Sequence, residues 1–191
     1  VLLAQAIEGA IVTRTLTSKA LQNSGGENPV RNISIYLPPN YDQTDKNFPV
    51  IYYLHGFMGN DKINANMKMI LDKGIISNKI KPYILVIADN NTVFDGSFYS
   101  NSPLTGNWDE FMSTELVGYI DSNFKTIKNK ESRGIAGHSM GGYGAFKIAM
   151  LHPEIFSSIY ALSPGLLAMV KEFGPNSNSF KEVQTIKNPT D

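Results

Sequence analysis

The segment that decides the fold runs from Gly134 to Phe146 and reads GIAGHSMGGYGAF. Its first residues are small and apolar, as in a buried strand, and its end is rich in glycine and alanine, as at the start of a closely packed helix. Between them, Gly137 to Gly141 form the pattern G-x-S-x-G around Ser139. The pattern alone is weak, since a chain of this length matches it by chance about once in fifteen. Its setting between strand and helix predicts a sharp turn that carries Ser139.

A second turn, His55 to Gly59, follows an apolar strand that ends at Leu54. In a strand–turn–helix of this kind, a tetrahedral intermediate at the serine needs two N–H donors aimed at its oxygen. One donor is the amide after the serine, Met140, and the other comes from the loop after an earlier strand, here Phe57. The pattern therefore predicts Ser139 as a nucleophile, with the amides of Phe57 and Met140 as an oxyanion hole. Gly56 is expected to let the loop turn the Phe57 amide inward. A purely structural turn is the alternative at both places.

The hydrophobic pattern outside these turns is of two kinds. Gly9–Lys19 and Asn28–Leu37 alternate or are rich in β-branched residues, which predicts an antiparallel pair at a sheet edge. Val50–Leu54 and Tyr83–Ala88 are continuously apolar, which is typical of parallel strands covered on both faces. Phe156–Leu162 is predicted to be a further strand.

Helical periodicity predicts three helices, Asn64–Lys73, Trp108–Phe124 and Met140–Leu151. The first is expected to end at Gly74, and the second to begin with a capping box of Asn107 and Glu110. Trp108 falls on the apolar stripe of its helix, so core packing is favoured over stacking on a ligand. The alternation of strands and helices predicts an α/β fold of three layers, with a mostly parallel central sheet and an antiparallel N-terminal edge.

Composition restricts the classes of function. The chain has 191 residues, which suits a single domain, and its 17 basic residues balance 17 acidic ones. A net charge of zero gives no electrostatic attraction for nucleic acid or for an anionic membrane. The absence of cysteine excludes disulfides, thiolate metal sites and a cysteine nucleophile within this sequence. The longest apolar runs are far shorter than the ~20 residues of a membrane span.

The first six residues, Val1 to Ala6, read VLLAQA and are similar to the end of a secretory signal with its small-residue cleavage site. This interpretation divides the chain into a signal remnant, residues 1–6, and an α/β domain, residues 7–191. It predicts a periplasmic or secreted protein. A processed terminus or an ordinary first strand is the alternative, and a cytoplasmic location then stays open.

Several ordered segments together resemble the esterase D-like branch of the α/β-hydrolase family, which includes S-formylglutathione hydrolases, feruloyl and acetyl-xylan esterases and mycolyltransferases. The matching stretches are residues 35–42, 49–56, 97–99, 106–109, 115–116, 132–144, 152–154 and 161–164. The resemblance implies a carboxylic-ester hydrolase that needs no cofactor or metal. It implies Ser139 as the nucleophile and the amides of Phe57 and Met140 as the oxyanion hole, and it does not select a substrate.

A general base is missing from this pattern. In the α/β-hydrolase fold the acid and the histidine follow the serine along the chain. Only His152 does so, and a helix of ~1.5 Å per residue places it roughly 20 Å away. His138 is adjacent to the serine and is predicted to be structural, whereas His55 is expected to shape the oxyanion loop. The acids after the serine are Glu154, Glu172, Glu182 and Asp191.

Three explanations stay open for the missing base. The preferred one is that the chain is the N-terminal part of a longer esterase, whose last strands carry the acid and the histidine. The others are a second chain or swapped segment, and a non-catalytic relative that binds esters or glycans. An acyltransferase with the same pocket stays open as an alternative activity. A further cluster, Asp89 to Asn91 with Asp95 and Asn101, is expected to be a solvated loop, with a cation site or a cleft wall as the alternative.

Overall fold

The computed structural model describes residues 8–165, 176–178, 181 and 185. The predicted signal remnant, residues 1–6, lies outside this part, as do the acids Glu172, Glu182 and Asp191. The described chain contains six strands: β1 Ala10–Thr17, β2 Val30–Leu37, β3 Val50–Leu54, β4 Ile84–Ala88, β5 Arg133–His138 and β6 Ser158–Leu162. Each strand coincides, within a few residues, with one predicted from the hydrophobic pattern.

The six strands form one sheet in the order β1-β2-β4-β3-β5-β6. β4, β3, β5 and β6 run parallel to one another, whereas β2 is antiparallel to both β1 and β4. The mostly parallel sheet with an antiparallel N-terminal edge is therefore confirmed. All five residues of β4 are buried, while β1 is exposed or half-exposed throughout, which matches the continuous and the alternating patterns.

The helices are α1 Ala65–Ile76, α2 Trp108–Glu110, α3 Leu116–Asn123 and α4 Met140–Leu151, and a π-helical turn, Phe111–Glu115, joins α2 to α3. The prediction that α1 ends at Gly74 was wrong. The helix continues to Ile76, and the left-handed residue after it is Asn78, with φ 55°. Ile80 packs where a Gly74 side chain would lie, 2.9 Å from its Cβ position, so the glycine serves packing rather than helix termination.

The predicted capping box at the start of α2 is half present. The Asn107 side chain accepts the Glu110 N–H at 3.1 Å, as expected. The Asn107 N–H, however, donates to the carbonyl of Ala20 at 2.8 Å rather than to Glu110. A long-range contact has replaced the local one, and it joins the start of this helix to the loop after β1.

Helices cover both faces of the sheet and give three layers. On one face α1 packs over a small cluster that includes Tyr36, Leu71 and Ile87. On the other face α2, α3 and α4 contribute to the larger core, which includes Trp108, Leu116 and Ile148. The indole of Trp108 is fully buried, which confirms its predicted place in the core. Within the described residues, no helix combines the length and the apolar character needed to cross a bilayer.

Candidate active site

Three strand ends meet at one edge of the sheet. β3, β4 and β5 are parallel, so the residues that follow them, His55, Asp89 and Ser139, emerge on the same side. In open α/β sheets the crevice beyond the carboxyl ends of the strands is where ligands bind. The candidate site is therefore built from three loops that are distant in sequence.

Ser139 lies between β5 and α4 in a backbone conformation that L-residues rarely adopt, with φ 56° and ψ −118°. Its N–H donates to the carbonyl of Leu162 at 3.0 Å, and its own carbonyl accepts the N–H groups of Tyr143 and Gly165, each at 3.0 Å. Such a conformation costs of the order of 1–3 kcal/mol and persists only where surrounding structure enforces it. The serine side chain is half-exposed at the apex of this turn.

Glycines at both ends of the turn allow the close approach that the pattern predicts. A Cβ on Gly137 would collide with the backbone of Gly141, and a Cβ on Gly141 would collide with the carbonyl of Leu54 and lie 2.7 Å from the His55 carbonyl oxygen. The strand, the helix and the loop after β3 are therefore packed backbone to backbone. The turn and the loop at His55 form one unit because no side chain separates them.

The loop from His55 to Gly59, hereafter the oxyanion loop after its predicted role, lies directly against the serine. A Cβ on Gly56 would be 3.7 Å from the Cβ of Ser139. The left-handed residue of this loop is Met58, with φ 58°, and not Gly56. The expectation that Gly56 lets the loop turn the Phe57 amide inward stays a prediction.

His55 has both ring nitrogens occupied. Its Nε2 accepts the N–H of Asn90 at 2.9 Å, so the proton of the neutral ring is on Nδ1, which lies 2.9 Å from the carbonyl oxygen of Gly56. The ring is buried, and burial lowers the pKa of His55. The neutral form is therefore favoured, and the ring positions the loop as predicted rather than accepting a proton from Ser139.

A loop of residues 89–99, hereafter the support loop, holds both ends of the oxyanion loop. At one end, the Asn90 amide donates to the His55 ring and the Tyr99 hydroxyl donates to the His55 carbonyl at 2.9 Å. At the other end, the Met58 N–H donates to the carbonyl of Asp95 at 2.9 Å. The peptide groups around Phe57 are therefore fixed on both sides by one neighbouring loop.

The side chains of the two residues predicted to supply the oxyanion donors meet at one residue of the support loop. A Cβ on Gly96 of the support loop would lie 2.9 Å from the Phe57 ring and 2.6 Å from the sulfur of Met140, so both side chains pack on this one residue. Among the described residues, neither the Phe57 nor the Met140 amide donates a hydrogen bond. Backbone N–H groups that have no partner in the described part of the chain are able to bind a developing oxyanion.

The chain's other two histidines do not complete the site. His152 follows α4, about 20 Å along the helix from Ser139, and both its ring nitrogens face carboxylates, those of Asp109 at 3.0 Å and Glu154 at 3.2 Å. His138 is exposed at the end of β5. Within the described part of the chain, no hydrogen bond joins either imidazole to Ser139.

The support loop is the functional feature that sequence reasoning missed. Residues 89–91 were expected to form a solvated loop, yet Asn90 is fully buried and its side-chain amide donates to the carbonyl of Ala88 at 2.8 Å. The polar residues after β4 serve hydrogen bonds within the protein. No local signal indicates this, because an Asp-Asn-Asn run after a strand has the composition of a solvated loop.

A three-layer α/β fold with a serine turn at the carboxyl edge of its sheet defines the α/β-hydrolase class. Within that class, the chain belongs to the Esterase family ("Putative esterase"), whose model matches residues 25–189. An esterase of Mycobacterium tuberculosis is 31% identical over 153 residues, which is 78% of this chain and 32% of that protein. An endo-1,4-beta-xylanase/feruloyl esterase of Xylanibacter ruminicola is 33% identical over 144 residues, covering 71% of this chain and 20% of the relative.

Solved structures agree with this assignment of the fold. A ferulic acid esterase superposes with a TM-score of 0.74 at 27% identity, over 91% of this chain and 66% of the other. The feruloyl esterase module of Clostridium thermocellum, in complex with sinapinate, matches with a TM-score of 0.68 at 20% identity, over 92% and 60%. The chain thus spans between a fifth and a third of the curated relatives described above.

Proposed function

We propose that this chain carries the nucleophile and the oxyanion hole of a serine carboxylesterase. The observation that carries the proposal is the strained Ser139, whose Cβ lies 3.7 Å from the Cβ position of Gly56. A non-glycine residue held at φ 56° in a crevice is strain of the kind that accumulates at catalytic positions. Membership of the Esterase family supports ester hydrolysis as the reaction.

In the proposed reaction the Ser139 hydroxyl oxygen attacks the ester carbonyl carbon while its proton passes to a general base. The carbonyl oxygen becomes an oxyanion, which the amides of Phe57 and Met140 stabilise. Collapse of this intermediate breaks the bond to the alcohol, which leaves with a proton and gives an acyl-serine. Water then repeats the sequence and releases the acid. The N-terminal end of α4 adds a positive dipole beside the same oxygen.

The general base and its acid partner are proposed to lie outside these 191 residues. All three histidines of the sequence are accounted for, since both nitrogens of His55 and of His152 are engaged and His138 is at the exposed end of β5. The chain also spans only part of each relative's length, which leaves room for these groups in a longer protein. Without them, Ser139 would retain only the binding contribution of the oxyanion hole.

Aromatic side chains beside the serine favour esters with a planar acyl group. The rings of Phe57 and Phe98 are 6.0 Å apart, those of Phe98 and Tyr143 are 6.5 Å apart, and Phe57 is 48% exposed. Aromatic rings with free edges and faces pair well with another planar ring. Two relatives are named feruloyl or ferulic acid esterases, which supports hydroxycinnamoyl esters as the substrate class.

The test uses the full-length protein that contains this chain, with methyl ferulate and methyl hexanoate as substrates. We expect Ser139→Ala to lower kcat by about 10⁴-fold or more and to abolish labelling by a fluorophosphonate, because the nucleophile is gone. Ser132→Ala, at a half-exposed serine before β5, is the matched control and should retain both. Equal hydrolysis by the wild type and Ser139→Ala would refute the nucleophile, whereas a preference for methyl hexanoate would refute only the aromatic acyl group.

A further inference from the structure

The support loop is itself held by a buried ion pair on the side away from Ser139. The guanidinium of Arg31 lies 2.8 Å from the carboxylate of Glu27, and the two side chains are 5% and 6% exposed. Arg31 also lies over the ring of the buried Trp108, at 4.8 Å from its centroid. Both charged groups are thus almost completely removed from water.

Each member of the pair uses its second polar group on the backbone of the support loop. The other carboxylate oxygen of Glu27 accepts the N–H of Val93 at 2.9 Å, and the other terminal nitrogen of Arg31 donates to the carbonyl of Asn91 at 2.8 Å. Hydrogen bonds in which one partner is charged are roughly twice as strong as neutral ones. Two such bonds therefore hold adjacent peptide groups of the support loop, which has no regular secondary structure.

The support loop connects these two hydrogen bonds to the oxyanion loop through a few residues. The Asp95 N–H donates to the carbonyl of Thr92 at 3.0 Å, which closes a tight turn next to the peptide groups that the ion pair holds. The carbonyl of Asp95 then accepts the N–H of Met58, the residue that follows Phe57. Displacement of the turn would remove the hydrogen bond that holds Met58. This residue has a left-handed conformation, which residues other than glycine rarely adopt.

We infer that the Glu27–Arg31 pair is a positioning element of the site, which sets the aim of the Phe57 amide through the support loop. The inference rests on the proposed function, since it assigns a purpose to that amide. Neither residue touches the reacting atoms, so both are positioning residues rather than catalytic ones.

Stability alone is a poor explanation for the pair. Buried ion pairs contribute little net stability, because removal of two charges from water offsets their attraction, and an apolar replacement is often as stable. An apolar pair, however, could not bind the Val93 N–H and the Asn91 carbonyl. An oxyanion donor must be accurately aimed, and loss of one lowers kcat by about 10²–10³-fold.

The test compares two variants of this pair with one of a remote pair. Arg31→Lys keeps the charge but lacks the planar fork that reaches Glu27 and the Asn91 carbonyl together, and Glu27→Gln keeps the shape without the charge. The matched control is Asp121→Asn, which breaks the pair between Asp121 and Arg133, 2.7 Å apart at the opposite end of β5. Tm, kcat and KM for methyl ferulate and amide hydrogen exchange are measured for each.

We expect Arg31→Lys and Glu27→Gln to lower kcat at least tenfold with KM changed less than threefold, because the oxyanion forms only in the transition state. Asp121→Asn should lower Tm by a similar amount and keep kcat within twofold. Exchange at the Met58 and Val93 amides should accelerate at least tenfold in Glu27→Gln and stay unchanged in Asp121→Asn.

Unchanged exchange at Met58 in Glu27→Gln, or an equal kcat loss in Asp121→Asn, would overturn the inference. A wild-type protein that hydrolyses no ester through Ser139 would instead refute the proposed function. The hydrogen-exchange comparison would still show in that case whether the ion pair holds Met58, since it needs no turnover.

Discussion

The two turns that meet at the serine are held in place by different means. The turn from Gly137 to Gly141 is held by backbone contacts: Ser139 bonds to the carbonyl of Leu162, and the terminal glycines admit neighbouring backbone. The oxyanion loop is held by groups from the support loop, namely the Asn90 amide, the Tyr99 hydroxyl and the Asp95 carbonyl.

This difference predicts that substitutions in the two turns affect stability and activity in different ways. A change in the serine turn introduces a steric conflict into packed backbone, which affects stability and activity together. A change in an anchor of the oxyanion loop removes one hydrogen bond among several, so the loop should lose its aim while the fold persists. The two turns can therefore be separated by measuring unfolding and turnover on the same variants.

The largest effect is expected at Gly141. A Cβ there would lie 2.7 Å from the His55 carbonyl oxygen and closer still to Leu54, so Gly141→Ala should destabilise the protein by about 2–3 kcal/mol. Hydrolysis should fall more than a hundredfold, because the oxyanion loop is displaced. The control is Gly118→Ala on the exposed side of α3, where a Cβ meets nothing within 4 Å and should add about 0.5–1 kcal/mol of stability. Chemical denaturation measures both, and a Gly141→Ala protein of wild-type stability would contradict the packed turn.

Removal of one anchor should have a smaller effect. Tyr99→Phe deletes the hydroxyl that donates to the His55 carbonyl and leaves that carbonyl buried without this donor, at a cost of about 1–3 kcal/mol. We expect kcat to fall several-fold with KM nearly unchanged. Tyr160→Phe, at a 65% exposed ring, should change stability by less than about 0.5 kcal/mol. If Tyr99→Phe loses stability but keeps its full kcat, Tyr99 supports the fold and not the aim of the loop.

Acid should loosen the oxyanion loop at its His55 end. Burial lowers the pKa of His55 below its ordinary value of 6.5, so the unfolded state binds this proton more readily than the folded state. The resulting stability is complete above about pH 6.5 and is lost as the pH falls toward the lowered pKa. Tm should therefore decrease on acidification through this window.

The slope of Tm against pH separates His55 from other groups. His55→Gln should flatten the part of the slope just below pH 6.5, whereas the exposed His138→Gln should leave it in place. An identical slope in the wild type and His55→Gln would show that the buried ring does not govern the acid sensitivity.

The smallest effect compares two inactive variants of the serine turn. At φ 56° and ψ −118°, alanine retains the backbone strain of serine while glycine relieves it. Ser139→Gly should therefore be more stable than Ser139→Ala by about 1 kcal/mol, even though glycine has the higher entropy in the unfolded chain. Thermal unfolding of the two variants under the same conditions measures the difference. A more stable alanine variant would mean that the turn is unstrained.

Prediction from sequence succeeded where the cause is local. The limits of β3 and α4 follow from uninterrupted apolar runs and from the glycines beside Ser139, and the structure agrees with both. It failed at Gly74, where Ile80 uses the space of the missing side chain. A glycine in the sequence indicates either conformational freedom of the backbone or space for a neighbouring group. Only the residues packed around it determine which of the two applies.

The support loop could not be predicted for a similar reason. Its bonds join residues far apart in sequence, such as Asn90 with His55 and Val93 with Glu27. Such pairs leave no periodicity, and an Asp-Asn-Asn run has the composition of an ordinary solvated loop. The burial of Asn90 follows from the order in which β2, β4 and β3 are placed side by side.

The amino-acid sequence by itself determined the alternation of strands and helices, the sharp turn at Ser139 and the membership of a hydrolase fold. These features depend on residue spacing and on steric limits that act over a few neighbouring residues. Only the tertiary structure decided which loops meet beside the serine and which distant side chains hold them. Hydrogen bonds between loops form only after the sheet has brought the strand ends together, and no local sequence pattern indicates which strand ends lie side by side.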